Sequence, residues 1–223
     1  MLKFNPRFAP GGLCSWEFAL ASDPEAAYLK RAMNSKIASL VVLLALGSAS
    51  QADTLKIDPV HSTIGFKIRH LFANVTGRFT DVSGTIDVDP AHPESANVNA
   101  TIGIKSIDTA NAMRDKDLRG SNFFDADKYP TMTFKSTKVE VNGQQADVTG
   151  DLTLHGVTKP VTLHVQFLGK GPGMMGGVTT GWEATGSLKR SDYGLTWSKT
   201  IEGTQLVGDD VSIDLEITGD EPK

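Results

Sequence analysis

The chain has 223 residues, 22 Lys+Arg against 26 Asp+Glu, and one cysteine, Cys14. A formal net charge of −4 lacks the basic footprint that nucleic-acid phosphates require, which argues against nucleic acid as a partner. A lone cysteine admits no internal disulfide.

Lys36 precedes the apolar run Ile37 to Leu46, and small residues then lead to Ser50-Gln51-Ala52. That is the charged, apolar, small-residue order of a secretory signal, so residues 33–52 are expected to be a signal peptide cleaved after Ala52, with the periplasm as destination. A run this short cannot span a bilayer, which takes roughly 20 apolar residues. Signals normally begin a chain, whereas 1–32 precede this one; translation from Met33 is expected, making 1–32 a non-native extension or mis-assigned start, with a real but unusually long leader as the alternative. Without residues 1–52 the chain keeps 171 residues, 17 Lys+Arg against 23 Asp+Glu and no cysteine, which fits one domain over 53–223.

Past residue 53 the dominant period is two. Ile64-Phe66-Ile68 opens the pattern, with shorter strands at 75–79 and 85–88, then Val98, Ala100, Ile102 and Ile104 alternating with polar residues. Between Ile107 and Tyr129 the alternation breaks. Asp108 and Thr109 are expected to cap a helical turn over Ala110–Leu118, Asp115 and Arg119 to pair across one turn, and Gly120 to end it. The strand at 132–141 runs into Asn142-Gly143, both tolerant of the positive φ of a tight hairpin turn. Alternation resumes at 146–154, 161–167, 178–188 and 211–217. Gly169–Gly177 reads as a loop, where Met174-Met175 either line an adaptable apolar entrance or merely fill a long hairpin connection. Roughly eight antiparallel strands, each with one dry face, predict an all-β barrel with one short helix; a two-sheet sandwich is the alternative.

Catalytic signatures are absent: no glycine-rich phosphate cradle, CxxC, HExxH or GxSxG occurs. If Leu154 pairs with Val161, His164 faces Asp151 and lies on the order of 13 Å from His155, too far to share a metal. His61 and His70, an odd number of positions apart, would face opposite sides of one strand, and His92 sits in a proline-flanked turn. On the dry face, bulky Phe66, Phe79, Phe134, Phe167 and Trp182 mix with small Ala100, Gly150, Ala184 and Gly186. That mixture suits a longitudinal slot or an interlocked solid core equally well.

Four segments in order resemble the YceI-like family. The first comprises Asp58-Pro59-Val60-His61-Ser62, Phe66-Lys67-Ile68-Arg69-His70-Leu71 and Val75-Thr76-Gly77-Arg78-Phe79. The second runs from Asp108-Thr109 through Arg114–Arg119 and Phe123-Phe124-Asp125 to Tyr129-Pro130; the others are Gly150–Val161 and Arg190–Leu195. Tyr193 stands where the family usually has phenylalanine, Gly120 where serine is common, and Asn122 where aspartate is common, so Asn122 lacks a charge expected near the pocket mouth.

The resemblance implies a lipocalin-like barrel that carries or sequesters a long isoprenoid-type lipid, a polyprenyl quinone or prenyl phosphate, with no metal or catalytic cofactor. An enzyme acting on such a lipid, or a filled barrel acting as a stress or interaction protein, are the alternatives. Its lining would be Phe66, Ile68, Phe79, Ile102, Phe134, Leu152, Leu163, Val165 and Trp182, with Leu118, Phe123 and Phe124 closing an end. Arg114, Asp115, Asp117 and Arg119 would meet a head group or, the favoured expectation, tie the helix to the barrel. Relatives that occur with membrane b-type cytochromes add such a cytochrome as an implied partner.

Overall fold

The computed structural model describes residues 53–173, 176–201 and 203–221. The expected signal peptide, the 1–32 extension and Met174-Met175 lie outside the described residues. The first half of the fold consists of β1 (Asp53–Ile57), β2 (Thr63–His70), β3 (Ala73–Phe79), β4 (Val82–Asp89), β5 (His92–Gly103) and β6 (Ile107–Asp108). After helix α1 (Ala112–Arg119) come β7 (Thr131–Asn142), β8 (Gln145–Leu154), β9 (Val157–Pro172) and β10 (Val178–Lys189). A small hairpin of β11 (Thr200–Ile201) and β12 (Thr204–Gln205) precedes β13 (Val207–Asp220).

All these pairings are antiparallel. The order β1-β4-β5-β7-β8-β9-β10-β13 closes where β13 pairs back onto β1 at Lys56↔Asp220 and Ile57↔Gly219, giving an eight-stranded barrel with one helix. Closure removes the open edges that an isolated sheet exposes. The strand that closes it, β1, escaped sequence reading because only Leu55 and Ile57 alternate there; they are 1% and 7% exposed. β13 also pairs with β2 along Ile213↔Phe66, and β2 with β3. β6 meets β3 only at Arg78 and Phe79, so among the described residues the outer edge of β3 from Ala73 to Gly77 has no strand beside it.

Several local expectations are corrected. Leu154 pairs with Val157 rather than Val161, which makes His155-Gly156 a two-residue turn with φ of 53° and 77° and sets His164 against Asp147 rather than Asp151. In the β7–β8 hairpin Asn142 still pairs with Gln145, so the turn residues are Gly143-Gln144 and the positive φ, 63°, falls on Gly143. β9 continues through Gly169 to Pro172, shortening the glycine-rich connection to the residues after it. His61 lies in the turn before β2, so it and His70 do not share a strand.

The helix is also displaced. Ala110 has φ 57°, which helical backbone cannot accommodate, and α1 therefore starts at Ala112 with Asn111, not Asp108 or Thr109, as cap. The Asn111 side chain accepts the Arg114 N–H at 3.1 Å. Asp115 and Arg119 do not pair with one another. Asp115 accepts the Thr109 N–H at 2.9 Å and hydroxyl at 2.5 Å, while Arg119 donates to the carbonyls of Lys105 (2.8 Å) and Ile107 (2.7 Å).

Candidate functional site

Strand parity aims one side chain in two at the barrel axis, and what those side chains do there decides whether the interior is solid. Phe66 lies against Gly77, its cross-strand partner, and Phe134 lies against Gly150; a Cβ at either glycine would overlap the ring. Seating rings against neighbouring glycines takes up the space a side chain would fill there. A cavity of about 1290 Å³ results. Gly150 is thus a seat for an aromatic ring rather than part of an empty slot, and Gly186 similarly faces the Leu163 methyl at 3.0 Å from where its Cβ would stand.

Phe66, Ile68, Phe79, Ile102 and Phe134 all border this cavity. So do Leu152, Leu163, Val165 and Trp182. Phe66, Phe134, Leu163, Val165 and Trp182 are only partly buried although they point inward, which a solid core does not permit. Sequence reasoning passed over Val98, Val148, Ile213 and Ile217, which have the same parity and border the same space. Leu55 and Ile57 join them from the unrecognised β1.

The cavity reaches both ends of the barrel. At the end bearing the Gly143-Gln144 turn, Val141 and Phe167 line it yet remain 40% and 37% exposed, so the interior opens to solvent there. At the other end Leu118, Phe123 and Phe124 border it, and aromatic contacts run from Phe66 to Phe79 (5.7 Å), Phe79 to Phe124 (5.9 Å, edge to face) and Phe123 to Trp197 (4.8 Å). Asn111, Met113, Lys116, Asp117 and Asn122 continue the lining.

Polar groups divide into ties and free rim. Arg114 donates to the Thr109 hydroxyl (2.8 Å) and carbonyl (2.7 Å), and with Asp115 and Arg119 it fastens α1 to the β6 segment. Asp117 is exposed on the cavity rim beside Lys116. Arg190, 9% exposed, donates to the carbonyls of Leu195, Trp197 (2.8 Å), Gly208 (2.7 Å) and Val207 (3.4 Å), clamping the start of β13. Tyr193 is 1% exposed, its hydroxyl has no partner among the described residues, and burial pushes its pKa up to about 12.

Histidines do not converge. His155 Nδ1 contacts the Tyr193 carbonyl oxygen at 3.1 Å and its ring packs on Tyr129 at 4.5 Å, whereas His92 pairs with Glu94 and His164 with Asp147 on the surface. His61 pairs with Asp58 at 2.5 Å; that hydrogen bond raises the imidazole above its ordinary range and lowers the carboxyl. Among the described residues no three His, Cys, Asp or Glu side chains are grouped so as to hold a metal.

Residues 55–219 match the model of the YceI-like domain. A UPF0312 protein of Pseudomonas aeruginosa is 44% identical over 161 residues, which cover 68% of this chain and 84% of that protein. The crystal structure of the Campylobacter jejuni YceI protein superposes with a TM-score of 0.61 at 36% identity, covering 70% of this chain and 90% of that one. A polyisoprenoid binding domain from Saccharophagus degradans shares the fold at TM-score 0.53 and 20% identity, over 77% of this chain and all of that one. With a family match spanning the whole barrel, from β1 to the last turn of β13, the chain belongs to the YceI-like domain family.

Proposed function

We propose that the protein binds a long isoprenoid-type lipid, a polyprenyl quinone or a prenyl phosphate, along the barrel axis, and carries or sequesters it without chemical change. The observation that carries this reading is the apolar cavity of about 1290 Å³ whose inward aromatic side chains stay partly uncovered. A flexible apolar chain would cover them, and burying such surface contributes about 25 cal/mol per Å². The fold shared with a polyisoprenoid binding domain supports the ligand class. Binding is favoured over catalysis because Arg114, Asp115 and Arg119 are engaged in ties, leaving Lys116, Asp117 and Asn122 on the rim to meet a head group. The signal order of residues 33–52 supports a periplasmic setting, in which the lipid crosses water between membranes. With a quinone as ligand, a membrane b-type cytochrome is the partner that the family resemblance implies.

Native mass spectrometry of protein purified from its own host, followed by lipid extraction, tests the reading. A prenyl lipid near one per protein is expected. Protein that carries none and takes up no added polyprenyl quinone would reject it.

A further inference from the structure

The β2–β3 hairpin turns through two residues, Leu71 and Phe72, between the paired His70 and Ala73. Leu71 has φ 52°, at the first central position where such a turn favours glycine. Phe72 is 89% exposed. The same chain solves the same problem conventionally in the β7–β8 turn, where Gly143 takes φ 63°. A strained backbone that holds a bare phenylalanine in water serves neither folding nor solubility, and such outliers gather at functional positions.

We infer that the Leu71-Phe72 tip is a wedge that docks the barrel on the surface of an anionic phospholipid bilayer, with the cavity beside it as the portal for lipid exchange. The inference rests on the carrier reading proposed above. The cavity reaches this place: Arg69, His70 and Val75 of the hairpin and Met113 of α1 border it, and Met113 is 77% exposed. Among the described residues the outer edge of β3 has no strand beside it here. The tip is braced, since the Leu71 N–H donates to the Leu206 carbonyl and the Leu206 N–H to that of Lys199.

Charge selects this end over the other. Arg69 of the hairpin and Arg114 and Lys116 of α1 border the cavity against the acid Asp117, Lys199 lies two backbone hydrogen bonds behind the tip, and Asp210, beside Arg69, is paired with Lys189 at 3.7 Å. Asp209, outside the hairpin, is engaged by Ser191, whose N–H and hydroxyl it accepts at 3.0 and 2.8 Å. The far end also exposes an apolar side chain, Leu168, but the strand ends there carry Asp53, Asp89, Glu94, Asp220 and Glu221 against Lys170, which is paired with Asp53 and Glu221, and His92, which is paired with Glu94. An anionic bilayer attracts the first rim and repels the second, and an aromatic side chain is well suited to the headgroup boundary.

Protein purified from its host is mixed with phosphatidylcholine vesicles containing about one-third phosphatidylglycerol, and the sedimenting fraction is measured. Phe72→Ser is expected to lower partition about tenfold and to slow quinone uptake from vesicles similarly, while uptake from detergent micelles stays at the wild-type level. Phe72→Trp should restore partition, and Arg69→Gln should weaken binding to the anionic vesicles but not to pure phosphatidylcholine. Leu168→Ser, the matched change at the far end, should leave partition as it is. Equal partition of Phe72→Ser and wild type, loss of partition in Leu168→Ser, or binding only to membranes that retain their proteins would each overturn the wedge. Vesicle binding that depends on Phe72 with no quinone uptake from either source would uphold the wedge and reject the carrier reading instead.

Discussion

Two hairpin turns of equal length sit at opposite ends of this barrel and follow opposite rules. The β7–β8 turn gives its positive φ to Gly143, where an added Cβ would meet nothing within 4 Å. The β2–β3 turn gives the same conformation to Leu71 and follows it with exposed Phe72. One turn does what chain reversal asks; the other departs from it beside the cavity and leans on supports elsewhere. Arg190 is the chief support, because it clamps Val207 and Gly208, and Val207 pairs with His70 next to the turn. The β8–β9 turn also gives a positive φ to a non-glycine, His155 at 53°, but there the ring packs on Tyr129 and its Nδ1 meets the Tyr193 carbonyl, whereas the residue that follows Leu71 stands exposed; the contrast teaches that what sets the β2–β3 turn apart is left-handed backbone joined to a bare apolar tip.

The sharpest way to break that contrast is to remove the support. Arg190→Met leaves one buried and three part-buried carbonyls without this donor and should cost on the order of 3 kcal/mol in urea unfolding, with the 195–208 segment losing hydrogen-exchange protection first. A loss below about 1 kcal/mol would mean that the clamp is dispensable.

On the conventional flank, Gly150→Ala forces the Phe134 ring off its seat. About 2 kcal/mol of destabilisation is expected by thermal unfolding, together with a reduced ratio of bound lipid to protein as the ring crosses the axis. Unchanged stability and unchanged lipid content would show that the ring does not define the wall.

Tyr193→Phe should gain about 1 kcal/mol, since it deletes a buried hydroxyl that has no partner among the described residues. A measured loss in denaturant midpoint would reveal a partner for that hydroxyl.

Exchanging the logic of the turns is the most direct comparison. Gly143→Ala should destabilise by about 1 kcal/mol through φ alone, whereas Leu71→Gly should stabilise by about 0.5 kcal/mol, relief of strain being partly offset by a freer unfolded chain. If Leu71→Gly destabilises instead, the turn is not strained and the contrast between the ends dissolves.

The smallest effect concerns the turn leading into β2. His61 gains a carboxylate on folding, so its contribution is complete below its ordinary pKa of 6.5 and is lost as pH rises through the raised value. Asp58, lowered by the same hydrogen bond, contributes above 3.8 and loses that as pH falls through its depressed value. The pair therefore supports the fold most between pH 3.8 and 6.5. Titration of the His61 ring by NMR should give a value above 6.5 that returns to it in Asp58→Asn; an unaltered titration in that variant would remove the interaction.

Much of this molecule was legible because alternation is a property of neighbouring residues. The runs through Ile102, Leu152, Val165 and Trp182 declare their inward faces without knowledge of partners, and the same parity would have added Val98, Val148 and Ile213. β1 was not legible, since two alternating residues make too short a signal, yet it closes the barrel. The helix start was misread because the left-handed Ala110 follows from the path of the chain between β6 and α1, not from residue preference.

Alternation, composition and turn chemistry determined an antiparallel all-β fold with one helical interruption and named most of the residues on its dry face. Tertiary structure alone decided that the sheet closes through β1 and that this face encloses space. Emptiness depends on Phe66 lying on Gly77 and Phe134 on Gly150, contacts between residues 11 and 16 positions apart that exist only in this register. It also decided that Arg114, Asp115 and Arg119 serve as ties and that Phe72 stands outside, because parity is set by a strand's own backbone whereas volume and exposure are set by what neighbouring strands place beside it.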